Sequence, residues 1–123
     1  MEQPFSVAGI AHLVLNVHDV ERSVAFYRMF DPKAGDDPKR VRVALGGGTR
    51  LLIRHSPDLA PQGQGNLNHF AVVLEGAADI ESVLAFMRAH GAEPYDGPRT
   101  NTSGRTQFRV KDPDGNEIEV QLK

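Results

Sequence analysis

Residues 19–28, DVERSVAFYR, recur at 79–88 as DIESVLAFMR. Laid over one another without a gap, the two runs share Asp, Glu, Ala, Phe and Arg. Both read as short amphipathic helices. Val20, Val24, Phe26 and Tyr27 give the first an apolar stripe, and Ile80, Val83, Leu84 and Met87 serve the second. Asp19 and Asp79 stand where an N-cap acceptor is wanted, and His90-Gly91 reads as a helix end with glycine in the left-handed position. Each helix follows a strand-like run of alternating faces, GIAHLVLNV at 9–17 and NLNHFAVVL at 66–74. Each precedes a hairpin: RVRVALGGGTRLLIR at 40–54 turns on GGG, and RTQFRVKDPDGNEIEVQL at 105–122 turns on DPDGN. Segment 56–66, SPDLAPQGQGN, reads as the linker between halves, and a further short strand is sought near 32–36 and 93–97. The chain is thus an internal duplication of the α+β class. A single domain spanning 1–123 is expected, made of two β-α-β-β-β modules at about 8–55 and 66–122.

Composition narrows the function. At 123 residues the chain suits one modest core, and 40% hydrophobic with 24% charged residues is ordinary for a globular protein. A formal charge of −2 gives no overall pull toward nucleic acid or membrane. The absence of cysteine excludes disulfides, thiolate catalysis and zinc–sulfur sites. No apolar run has the length of a membrane span, and MEQPFSVAG lacks the pattern of a secretory signal, so a cytoplasmic protein is expected.

Strand alternation then sorts the side chains. Placing Leu13, Leu15 and Val17 against the helix sends His12 to the opposite face. The same reasoning puts His69 opposite Phe70, Val72 and Leu74. On the last strand it puts Glu117, Glu119 and Gln121 opposite Ile118, Val120 and Leu122. Two histidines and a carboxylate on one face suit a divalent metal with positions left open for ligand. Six arginines, Arg40, Arg42, Arg50, Arg54, Arg105 and Arg109, fall on that face too. Their forked geometry suits a carboxylate or phosphate, or pairing with Glu117 and solvent at a sheet rim. Other motifs carry no chemistry. GGG lacks the Lys-Ser/Thr of a phosphate loop, and DPDGN has glycine in the wrong place for an EF-hand. His18, His55 and His90 lie at element ends, and Ser23 is expected mid-helix with no nearby base and so not as a nucleophile.

HLVLNVHDVERSVAFYR, NHFAVV and above all FRVKDPDGNEIEV resemble the vicinal oxygen chelate superfamily, which includes glyoxalases, bleomycin-resistance proteins and extradiol dioxygenases. The similarity runs from about residue 8 to 122. It implies paired βαβββ modules curling into half-barrel sheets around a metal held by His12, His69 and Glu119. The metal would be zinc, manganese, nickel, cobalt or ferrous iron. Aligning Gly48 with Gly115 puts Leu52 at the place of Glu119, so the further carboxylate ligand of glyoxalase I is missing. Where ring-cleaving dioxygenases carry a catalytic tyrosine, this chain has Arg109. Arg99 and Ser103 lie in the loop corresponding to the phosphonate site of fosfomycin-inactivating enzymes, but the chain stops at Lys123 without their basic tail. The resemblance therefore implies a glyoxalase-type lyase or isomerase. Its substrate would be small, oxygenated and anionic, bound through Arg42, Arg54, Arg99, Ser103 and Arg109, with Glu117 a weak candidate for acid–base work. A thiol-transfer resistance enzyme and a non-catalytic drug-sequestering protein are the alternatives. In similar short members the first module of one chain pairs with the second of its partner, which implies a homodimer with shared sites; the long linker at 56–66 would equally let both modules of one chain pair together.

Overall fold

The computed structural model describes residues 4, 8–39, 41–58, 68–76 and 79–123. Two sheets and two helices follow one another as β1 (His12–Val17), α1 (Val20–Tyr27), β2 (Arg42–Ala44), β3 (Arg50–His55), β4 (His69–Leu74), α2 (Ile80–Ala89), β5 (Tyr95–Thr100), β6 (Thr106–Lys111) and β7 (Glu117–Leu122). The first sheet has the order β1-β3-β2 and the second β4-β7-β6-β5. In both, the first strand of the module lies parallel to its last, and the closing hairpin is antiparallel. The fold is the duplicated α+β arrangement that the repeat predicts. No helix among the described residues is long and apolar enough to cross a membrane.

The helices start where they should. The Asp19 carboxylate accepts from Arg22 N–H at 3.1 Å and the Asp79 carboxylate from Ser82 N–H at 2.7 Å, each satisfying an orphan donor of the first turn. The Ser82 N–H also holds the Asp79 carboxyl below its usual range. α2 ends at His90, with Gly91 in the left-handed region at φ 80. Val24, Phe26 and Tyr27 of α1 are buried, as are Leu84 and Met87 of α2, so the 3.6-residue stripe is the core face. Leu15, Val17, Val43, Leu51, Ile53, Val72, Phe108, Val110, Ile118 and Val120 complete that core from the strands.

Two expectations are corrected. Residues 32–36 form turns rather than a strand: Ala34 N–H reaches Asp31 C=O, Asp36 N–H reaches Lys33 C=O, and Gly35 lies at φ 80. Among the described residues the first module therefore has three strands, not four. Ser23 does face an acceptor, since its buried hydroxyl donates to Asp114 at 3.4 Å. The linker beyond residue 58 and Arg40 lie outside the described residues.

The two modules are joined by polar groups. Tyr27, fully buried on α1, donates its hydroxyl to Asp112 at 2.7 Å. Asp112 sits at the β6–β7 turn and also accepts from the N–H groups of Asp114 and Asn116 and from the Asn116 amide. Asp114 in turn accepts from Arg22, Ser23 and the His18 N–H. Burial first, and the Asp112 charge second, push the Tyr27 pKa far above the ordinary tyrosine value. An unfolded tyrosine ionises near pH 10, whereas the native phenol keeps its proton. This contribution to stability is therefore whole below about pH 10 and is lost progressively above it. Tyr27→Phe should lower stability by about 2 kcal/mol at neutral pH, since it leaves a charged acceptor short of one donor. The denaturant midpoint should fall at constant slope, and the alkaline loss of stability should be shallower than in the parent protein.

Candidate functional site

The ladder register aligns the modules residue by residue. His12 lies opposite Arg50 and Val14 opposite Leu52 in the first sheet; His69 lies opposite Glu117 and Ala71 opposite Glu119 in the second. Arg42 lies opposite Leu52 as Arg109 lies opposite Glu119. His12 is thus the structural counterpart of His69, Leu52 of Glu119, Arg50 of Glu117 and Arg42 of Arg109. The equivalence of Leu52 and Glu119 agrees with the alignment of the glycine turns.

Burial alternates as the sequence predicts. Leu15 and Val17 are buried while His12, Val14 and Asn16 are exposed; Ile118 and Val120 are buried while Glu117, Glu119 and Gln121 are half-buried. His69 and Glu119 share the outward face of the second sheet on adjacent strands. His12 occupies the matching face of the first sheet. Among the described residues no three His, Asp or Glu side chains of one chain converge as a metal-holding group. The donor types suit a divalent ion, and of the three only His69 and Glu119 stand on one sheet.

Glu119 is held firmly. Its Oε1 accepts from Gln107 Nε2 at 3.0 Å and its Oε2 from Gln121 Nε2 at 2.9 Å. Gln107 is 4% exposed, so its amide is a fixed donor. Arg109 stands over the same face, 3.9 Å from both Glu117 and Glu119 and 3.5 Å from Asp96. Its Nε is buried without a hydrogen-bond partner among the described residues. Such a guanidinium balances three carboxylates without being tightly bonded to any. Glu117 accepts from the Tyr95 hydroxyl at 2.6 Å. Burial, then the hydrogen bond and charge of Glu117, push the Tyr95 phenol up to about 12.

Tyr95, Asp96, Gln107 and Gln121 are the members of this face that the sequence reading left without a role. Gln107 alternates with Arg105 and Arg109, so the strand period alone could have found it. Tyr95 is hidden by a bulge: it faces Arg109, whereas Arg99 already faces Gln107. The bulge places Asp96 in the left-handed region at φ 53 and presses Gly97 so close that an added Cβ would meet the Gln107 carbonyl at 2.5 Å. Among the proposed ligand-binding residues, Arg42 and Arg54 are exposed on the first sheet's outward face. Arg99 belongs to β5 rather than to a loop and lies 3.5 Å from Asp96. Ser103 sits in an exposed turn, where its N–H donates to the Asn101 side chain. A cavity of about 1080 Å³ opens elsewhere, between the edge strands β1 and β4 and α2. Leu13, Phe70, Val83 and Phe86 line it, and none of the three metal-ligand candidates does. A convergent polar set marks the outward face instead, which makes it the stronger candidate.

Residues 9–120 match the Glyoxalase/Bleomycin resistance protein/Dioxygenase superfamily. The chain belongs to this superfamily. Its fold is similar to a glyoxalase/dioxygenase from Nostoc punctiforme, at 19% identity and a TM-score of 0.72 over 100% of this chain and 96% of that one. It is similar also to a glyoxalase family protein from Enterococcus faecalis, at 22% identity and a TM-score of 0.68 over 92% and 96%. An integron cassette protein from the mobile metagenome of the Halifax Harbour sewage outfall gives 18% identity and a TM-score of 0.72 over 95% and 100%. No curated protein matches the chain. At these identities the likeness carries the fold alone.

The chain has two tyrosines and no tryptophan, so a near-UV alkaline titration of the folded protein isolates Tyr95. It should ionise at about 12, with Glu117→Gln moving the transition down toward the ordinary value as burial alone remains. An unmoved transition would remove Glu117 as the acceptor.

Proposed function

We propose that this superfamily member is a divalent-metal enzyme of the glyoxalase type, a lyase or isomerase acting on a small oxygenated substrate. We assign His12, His69 and Glu119 as its metal ligands. One observation carries the reading: Glu119 is fixed through both oxygens by Gln107 and Gln121 on the face it shares with His69. Carboxylate ligands are held in this way by their outer partners. When bound, the metal supplies Lewis-acid stabilisation of charge on neighbouring substrate oxygens. Leu52 offers no ligand where the repeat would place a second carboxylate, which leaves room for those oxygens. Glu117 is the group placed to take a proton, with the Tyr95 hydroxyl orienting it and Arg109 balancing the charge.

We read the set as closing across two copies of the chain in a homodimer, since His12 stands on the other sheet and no three such side chains converge among the described residues. A two-fold interface would yield two equal sites. His12→Ala and Glu119→Ala should each lower metal stoichiometry in elemental analysis. Mixing the two variants under exchange conditions should return one intact site per mixed dimer. A monomer in sedimentation, or no recovery after verified exchange, would refute the shared site; full occupancy in Glu119→Ala would refute the ligand assignment.

A further inference from the structure

The register that equates the modules also exposes where their charges part. In the second sheet Arg109 is surrounded by Asp96, Glu117 and Glu119 at 3.5–3.9 Å. In the first sheet its counterpart Arg42 faces Leu52 instead of Glu119, and Arg50 replaces Glu117. Arg54 adds a third guanidinium on the same face. Arg42, Arg50 and Arg54 are exposed, and none of them forms an ion pair among the described residues. One module balances its arginine and the other accumulates positive charge.

We propose that this face binds the anionic end of the substrate, a doubly charged oxyanion of the phosphate type, between Arg42, Arg50 and Arg54. The proposal rests on the outward face being the active face, as argued above, and adds the substrate's charge. Arg50 and Arg54 flank Leu52 on β3, each roughly 7 Å along the strand from it, and Arg42 lies directly across. Long side chains at those points can converge over Leu52. A carboxylate is satisfied by one bidentate arginine, whereas three forks match the several terminal oxygens and two charges of a phosphate-type group. His12 across from Arg50 and Asn16 across from Arg54 add polar neighbours.

Acidic groups stand nearby and define the border. Arg42 and Arg50 edge a recess of about 330 Å³ whose other walls include Asp31, Asp36 and Asp37. Two of these are engaged in holding their own loop: Asp31 accepts from the N–H groups of Lys33 and Ala44, and Asp37 from that of Lys39. Arg54 does not line that recess, so the recess is distinct from the seat proposed between the three arginines.

The test uses the full chain with metal removed by chelator and inorganic phosphate as probe, with acetate as comparison at constant ionic strength. Amide chemical-shift titration should give saturable phosphate binding about tenfold or more tighter than acetate. Arg42→Gln, Arg50→Gln and Arg54→Gln should each weaken it about tenfold, the loss of one charge-assisted pair. Arg88→Gln, on α2 where Arg88 pairs with Glu93, should bind phosphate as the parent does. Absent binding, equal affinity for acetate, or indifference to the three substitutions would overturn the proposal. So would a loss of self-association in these variants with phosphate binding unchanged, which would assign the arginines to a subunit boundary. Because no metal is present, this titration can fail while the metal-mixing experiment succeeds, and the reverse.

Discussion

Everything on the candidate face depends on one buried carboxylate. Asp112, 4% exposed, collects the hydroxyl of Tyr27, the N–H groups of Asp114 and Asn116, and the Asn116 amide. A buried charge is tolerated only when so many donors meet it. The arrangement closes the β6–β7 turn tightly and fastens it to the helix of the other module. Glu117 and Glu119 begin immediately after that turn. Their position on β7 is therefore set partly by Tyr27, a residue far from them in sequence and chemically silent.

Duplication explains the frame, and divergence within it explains the chemistry. Both modules keep the parallel pairing of first and last strands, the capped helix and the glycine turn. What differs, besides the strand β5 that the first module lacks among the described residues, is a handful of outward positions. Leu52 and Arg50 stand where Glu119 and Glu117 stand, and no side chain of the first sheet reproduces the Tyr95–Glu117 hydrogen bond among the described residues. Core positions are interchangeable because burial asks only for apolar volume. Outward positions carry specific charges, and there the halves have become unlike.

The repeat, both N-caps, the two hairpins and the alternation of faces along β1, β3 and β7 were legible in the sequence. These rest on local physics: a carboxylate ahead of a helix, glycines at positive φ, and a two-residue period checked against burial. The sequence misleads at 32–36, where Pro32 and Gly35 produce turns, and it does not disclose Tyr95, because the bulge at 96–98 shifts the register in a way alternation cannot reveal. The amide grip on Glu119 is legible in part. Gln121 lies two residues on along the same strand, whereas Gln107 reaches that carboxylate only because the ladder sets β6 beside β7.

The pairing of each module's first strand with its last has a consequence for how the chain acquires its shape. The β6–β7 hairpin closes over a short turn, whereas β4 pairs with β7 across the whole sequence of α2, β5 and β6. Parallel ladders of such long sequence separation form slowly, since the entropy of the intervening loop is lost before the contacts compensate for it. Until then Phe70, Val72 and Leu74 stand uncovered on an unpaired edge. The sticky interval in folding thus belongs to β4, the strand that carries His69.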